Sequence, residues 1–521
     1  MNNTIQMYDA QADSIKIEDI VSNKNNRIVL DRIKRNSEDD DYNQELFLQN
    51  QHDEQGEDCI DYVPEGAHDM GWLGYFVGKN EQLKELYIRD FTPTSGASVT
   101  EVLKPFIRGV TNNRSINKLD FYRMDLLGGR IFSMMGPFFE KFPSLSNLAI
   151  YECNLGDDGW RLLALAIGSS KAKSLQKVTL TDCNISDQGL VDIITALSMH
   201  PKLQHIELIG NRMSTKGCTT LATLLRCSCT ELESLDLDNN VINDEGIDAL
   251  VPVLKKCDHL QSLSLENNSI TTKGWQHLAT ILEAPNCSSL TTLYTAGVNV
   301  DDDAVTAFTS ALVNNRTLTT LGLSRNPSIT DEGWKIFSKL LCDTSSINST
   351  YLSNHTLAYL GLMPPRASPL RPLLKLNQKY EGKKELAMIK ILQYHNDFDM
   401  IPFFEWEFKV LPLMINWFER ASSITSMPEN FDANIGPRKL SSIYQFVRGM
   451  PLLYVEAQLR KQLRDIKLKE THLDEEHRQM EKRQLELRHQ QLVLDMQLQE
   501  FAQRKKSVGD EKKSIIEKLG R

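Results

Sequence analysis

The residues best spaced for chemistry are Asp236, Asp238 and Asn240 in "LESLDLDNNVINDEG" (232–246), which alternate as the first oxygen ligands of a calcium loop do. Such a loop needs glycine at its sixth position and a bidentate Glu at its twelfth. Those positions hold Val241 and Ile247, which rules the loop out. "GYFVGKN" ends as a phosphate loop would, but Leu73 stands where its first glycine belongs and Asn80 replaces Ser or Thr. "VDDDAV" (300–305) gathers three carboxylates in what reads as a solvated turn. There is no H-E-x-x-H, no G-x-S-x-G and no kinase signature, and the eleven histidines are scattered. The expectation is a protein that is not an enzyme, with no catalytic residue, no metal and no cofactor.

What remains around Asp236 is leucine spacing, and it recurs. The pattern L-x-x-L-x-L-x-x-N/C-x-L fits at "LSNLAIYECNL" (145), "LQKVTLTDCNI" (175), "LQHIELIGNRM" (203), "LESLDLDNNVI" (232) and "LQSLSLENNSI" (260). Looser copies start at 83, 116, 290, 318 and 347, "INSTYLSNHTL" being the last. The period of about 29 residues leaves room for a strand and a full helix in each unit. Glycines at Gly159, Gly189, Gly217, Gly246 and Gly274 each precede apolar residues four apart, one helical face. Leu235 and Leu237 should point into the core while Asp236 and Asp238 point out of the strand. Asn211, Asn240, Asn268 and Asn326 share one slot and should satisfy backbone groups where the chain leaves the strand. Cys153 and Cys183 fill that slot as small buried residues.

These repeats, with "NDEGIDALVPVL" as their helical half, resemble the ribonuclease-inhibitor-like class of leucine-rich repeat proteins over about residues 83–360. The resemblance implies an α/β fold, a curved solenoid with parallel strands on its concave face and helices on its convex face. "EGAHDMGWLGYFVGKN", "ILQYHNDFDMIPFFEWEFKVLPL" and "RKLSSIYQFVRGMP" are similar to the companions of such repeats in a group of microalgal proteins. That class includes ribonuclease inhibitor, NOD-type receptors and activators of the small GTPase Ran, and it has no shared activity, so it implies no function.

The chain has 521 residues, 41% of them hydrophobic, and a net charge of -10. Twelve Asp and Glu with no Lys or Arg fall between 36 and 78, a composition that disfavours both folding and nucleic acid. Residues 1–70 therefore read as an acidic, largely disordered segment. Residues 71–362 read as about ten repeats with "MGWLGYFVG" as their N-terminal cap, since an open solenoid end must be covered. "GLMPPRASPLRPLL" ends the repeats; residues 363–452 read as an α-helical module built on Phe403, Phe404, Trp406, Trp417 and Tyr444. Residues 453–521 read as a coiled-coil tail, with Leu459, Ile466, Leu473, Met480, Leu487, Leu494 and Phe501 seven apart, and Glu470, His477, Gln484 and Gln491 weakening the companion seam.

Nine cysteines without a C-x-x-C pair give no zinc or disulfide framework. The first residues have no apolar core of a signal peptide, and "FKVLPLMINWF" is too short to span a bilayer. A cytoplasmic or nuclear protein that engages neither membrane nor nucleic acid is expected. Outward strand positions then carry the functional expectation. Tyr87, Tyr122 and Tyr151 should cluster toward one end of the concave face, and Glu207, Asp236, Asp238 and Glu266 in its middle, as a surface for a basic or mixed protein partner. A scaffold that binds a protein there and forms a homodimer through its tail is the leading reading. The alternative is a regulator of another enzyme, as a GTPase-activating protein or ubiquitin-ligase adaptor.

Overall fold

The computed structural model describes residues 2–36, 44–49, 61–90, 99–124, 144–169, 174–228, 231–283, 289–297, 299–379, 383–395 and 435–519. It divides into two units, Met1–Tyr394 and His395–Arg521. The acidic runs at 37–43 and 50–60, and Phe403, Phe404, Trp406 and Trp417, lie outside the described residues, as does the side chain of Tyr444.

In the first unit, eleven strands form one parallel sheet: β1 (Glu45–Leu48), β2 (Asp61–Tyr62), β3 (Glu85–Arg89), β4 (Lys118–Tyr122), β5 (Asn147–Tyr151), β6 (Lys177–Thr181), β7 (His205–Glu207), β8 (Ser234–Asp236), β9 (Ser262–Ser264), β10 (Thr292–Tyr294) and β11 (Thr320–Gly322). From β3 to β11 each strand pairs with the next in sequence, so the chain is a curved leucine-rich repeat solenoid of the α/β class. Helices Gly156–Ser169, Asp187–Leu197, Thr215–Ser228, Asp244–Leu254, Thr272–Ala279 and Asp302–Leu312 return the chain from one strand to the next, and Asp331–Leu341 follows the last strand. Leu235, Leu237, Ile242, Ile247 and Leu250 are fully buried, so one repeat fills its share of the core with the residues its pattern marks.

The asparagine slot is a hydrogen-bond rung. Asn240 Nδ2 donates to the carbonyls of Leu208 (2.8 Å), Leu237 (3.0 Å) and Asp238 (3.1 Å), and its Oδ1 accepts from Met213 N at 3.0 Å. Asn211 one unit earlier, Asn268 one unit later and Asn326 three units later repeat this pattern. Cys183 Sγ takes the same place, donating to Ile150 and Thr181 carbonyls, and Met124 N donates to Cys153 Sγ at 3.1 Å. A second rung, absent from the sequence reading, lies before the strands. Asn113, Asn315 and Asn354 accept from the amides of Ile116, Leu318 and Leu357 while donating to the Val77, Leu282 and Leu312 carbonyls of the preceding unit. Where the chain leaves each strand, one residue takes left-handed backbone, including Glu152, Asp182, Asn239, Asn267 and Arg325.

Three expectations are corrected. Residues 1–70 are not largely disordered, because the described parts form α1 (Asn2–Gln11), α2 (Lys24–Arg35) and β1 and β2, which lengthen the sheet beyond β3. Leu30, Ile33, Leu46 and Leu48 are buried there, enough apolar surface to order a segment whose average composition is acidic. Second, "INSTYLSNHTL" is no repeat start. Ile347–Leu352 is a helix, and the last strand-like contact is Thr320 with Tyr359, in the phase of Leu357 and Leu360. Third, the boundaries at 362 and 452 fall inside continuous structure. Helices Leu370–Lys379 and Lys383–Tyr394 pack on the last repeats, with Leu373, Leu374, Leu386 and the fully buried Lys390 inside, Lys390 Nζ donating to Leu341 O at 2.7 Å.

The segment expected as the N-terminal cap forms α3 (Ala67–Lys79), which crosses α4 (Val99–Val110) at contact distance but does not close the end, since α2, β1 and β2 continue the stack beyond it. Any Cβ on Gly74 would meet Phe106 backbone at 2.5 Å, and one on Gly109 would strike the Gly74 carbonyl. In the second unit, Ile435–Leu519 is a single helix of 85 residues.

Candidate protein-binding face

The parallel register sets the outward residues in rows. One runs Phe47, Tyr87, Asp120, Ala149, Thr179, Glu207, Asp236, Ser264, Tyr294 and Gly322 across adjacent strands. Beside it, Arg89, Tyr122, Tyr151 and Thr181 form the start of a second row, which Asp238 and Glu266 extend beyond the ends of the shorter strands.

The rows bring the expected acidic residues together. Asp236 Oδ1 accepts from Asp238 N at 3.0 Å, and Asp238 Oδ1 accepts from Ser264 Oγ and Glu266 N, both at 2.6 Å. Burial on the inner curve, with Asp238 and Glu207 nearby, pushes Asp236 up to about 6. Burial likewise raises Asp238 and Glu266. Glu207 differs from these three because Lys177 Nζ pairs with it at 2.7 Å and Thr179 Oγ1 donates to it at 2.8 Å. The charge that lacks a compensating cation is therefore centred on Asp236 and Asp238.

The tyrosines divide. Tyr87 is 7% exposed, so it is a packed residue and not an exposed anchor. Its ring stacks on Phe47 at 4.2 Å, the Arg89 guanidinium lies over both rings, and its hydroxyl joins Glu85 and Lys118. Phe47 comes from the segment expected to be disordered, which is why the sequence reading left Tyr87 bare. Tyr122 and Tyr151 are half-exposed, Tyr122 donating to Glu152 at 3.0 Å with Arg123 over its ring. Beyond the acidic centre, exposed Tyr294 shares the row of Asp236, and Tyr359 and Leu362 stand exposed past β11. Their signal was available in the first case, as Tyr294 shares the phase of Asp236.

"VDDDAV" is structural. Asp301 caps its helix by accepting from Ala304 N at 2.9 Å, and Asp302 accepts from Thr330 N of the next repeat at 2.8 Å. Among the described residues no group of three or more His, Cys, Asp or Glu is arranged to hold a metal ion. Among them, too, no helix is long and apolar enough to cross a membrane.

On the C-terminal helix, Leu459, Ile466, Leu473, Met480, Leu487, Leu494 and Phe501 are each between 51% and 67% exposed. Val508 and Ile515 continue the same spacing, so the apolar stripe is longer than the sequence reading drew it.

A family model described as Leucine Rich repeat matches residues 171–193, 228–251 and 314–335. Among curated relatives, the mouse "NACHT, LRR and PYD domains-containing protein 5" is 29% identical over 288 residues, 54% of this chain and 24% of that protein. The Arabidopsis thaliana "RAN GTPase-activating protein 2" is 30% identical over 94 residues, 18% of this chain and 17% of that protein. The chain thus spans about a quarter or less of the length of these relatives. Among solved structures, an internalin of Listeria monocytogenes aligns with TM-score 0.32 at 18% identity, covering 52% of this chain and 67% of that one.

Proposed function

We propose that this chain, which carries leucine-rich repeats, is a non-enzymatic scaffold of the cytoplasm or nucleus that holds a protein partner against its concave face. The observation that supports it most is the half-buried pair Asp236 and Asp238, with Glu266 on the next strand and burial raising all three. Carboxylates held so high gain from any cation brought against them, and the Lys or Arg of a partner segment is such a cation. Tyr294 on one side and Tyr151 on the other offer flat contact area at small entropic cost. No cofactor takes part.

Fluorescence anisotropy with a lysine- and arginine-rich peptide tests this. Binding should weaken about tenfold in Asp236→Asn with Asp238→Asn, and should also weaken as pH falls through about 6 while Asp236 takes up its proton. Equal affinity for a glutamate-rich peptide would remove the acidic centre from the reading. The likeness to a RAN GTPase-activating protein favours a second reading, a regulator of another enzyme. Stimulation of GTP hydrolysis by a purified small GTPase, lost in surface variants of the repeats, would put that reading first. Recovery of ubiquitin-ligase subunits with the chain would instead favour an adaptor.

A further inference from the structure

The C-terminal helix presents an apolar stripe that its own chain leaves in water from Leu459 to Ile515. Four places after each stripe member lies the companion seam: Leu463, Glu470, His477, Gln484, Gln491, Leu498, Lys505 and Lys512. Orientation decides what each of these meets in a paired helix. In a parallel, in-register pair every companion residue faces its own copy, which sets Glu470 on Glu470, Lys505 on Lys505 and Lys512 on Lys512 inside the seam. The flanks add Glu476 beside Glu481 and Arg483 beside Arg488, both repulsive, against Lys469 beside Asp474. An antiparallel pair instead sets each companion residue against a stripe member.

We propose that a second copy of this chain covers the stripe, the two helices running antiparallel and centred on Lys482. In that register Leu463 faces Phe501 and Leu498 faces Ile466, while Glu470 faces Leu494 and Lys505 faces Leu459, where long side chains reach water past an apolar neighbour. On one flank Lys467 of one copy lies beside Asp495 of the other, and Asp474 beside Arg488, each contact formed twice by the two-fold symmetry.

The helix itself supports this choice. Among the described residues, Arg478 pairs with Glu475, His472 with Glu476 and His477 with Glu481, whereas the side chains of Lys467, Asp474, Arg488 and Asp495 make no ion pair within their own helix. These four are among the charges of the helix open to a partner, and the antiparallel register sets them in opposite-sign pairs. The same axis brings Glu481 and Arg483 each near its own copy, two like-charge contacts against the four of opposite sign.

Analytical ultracentrifugation of the full chain reads the result without involving the concave face, so its failure and that of the binding reading are separable. Wild type should sediment as a dimer. Lys467→Glu and Asp495→Lys should each raise the dimer dissociation constant about tenfold, and the double variant should regain most of the loss. A parallel pair would set these positions against Gln462 and Gln490 and respond to neither change. Because all substituted positions are exposed, circular dichroism should show equal helix in the monomeric forms. A monomeric wild type, a trimer or larger species, neutral single variants, or a double variant that recovers nothing would each overturn the proposal.

Discussion

Asn240 serves four backbone groups in two adjacent repeats, and alanine there takes the side-chain partner from the buried Leu208 carbonyl and Met213 amide, while the Leu237 and Asp238 carbonyls keep Asn268 Nδ2 and Gly210 N. Asn240→Ala should therefore cost roughly 2–4 kcal/mol by urea unfolding, more than a surface substitution could. Asp236 has the opposite sign. Its folded pKa of about 6 stands above the ordinary aspartate value of 3.8, so the native state binds more protons between those pH values and the residue's contribution to stability falls as pH rises through them. Asp236→Asn should remove that decline and be the more stable form at pH 7 by roughly 1–3 kcal/mol, seen as the difference between the two unfolding curves. A wild type more stable than the variant at pH 7 would mean the carboxylate is compensated. The asparagine slot was legible because a fixed period repeats its environment. The pairing of Glu207 with Lys177 was not, because it runs diagonally between strands.

Strands and helices of the middle repeats were legible from leucine spacing alone, since apolar residues two apart mark the strands and apolar residues three or four apart, with polar ones between, mark the helices. The last repeat misled because "INSTYLSNHTL" carries apolar residues at tolerable intervals, yet Ser346 caps it as a helix by accepting from Ser349 N at 3.0 Å. Two variants test element packing. Leu237→Asp places a carboxylate where the leucine is fully buried and should cost about 4 kcal/mol or more, with loss of the central strands' amide protection. Gly109→Val drives a side chain into the backbone of α3 and should cost roughly 3 kcal/mol or more, loosening the N-terminal end of the stack while the later repeats hold. Equal melting of wild type and Gly109→Val would mean that the two helices do not cross at contact distance. The sequence marked "MGWLGYFVG" as an apolar element but misjudged it as the end of the stack, which α2, β1 and β2 extend, and said nothing of its partner, because a glycine's value as a contact surface depends on what lies opposite.

At the scale of the molecule, the curved solenoid was legible and its ends were not. Average composition hid the buried residues of α2, β1 and β2, and proline-rich chain after β11 hid helices that complete the same unit. Stability in such a stack is carried by contact between neighbours, so opening can begin at an end or run through the whole. Cys153, Cys183, Cys218, Cys257 and Cys342 are buried thiols, spaced along the solenoid from just after β5 to the end of the helix Asp331–Leu341. Burial holds Cys183 and Cys218 up at about 12 and Cys342 at about 11, so none reacts from the closed state at neutral pH. These thiols are a built-in set of clocks: each records how often its own stretch opens to a maleimide. If the stack opens as one body, all five are alkylated at one rate in mass-resolved time courses. If it peels, Cys342 leads and the interior thiols follow in order, so the cysteines would report the path by which the protein comes apart.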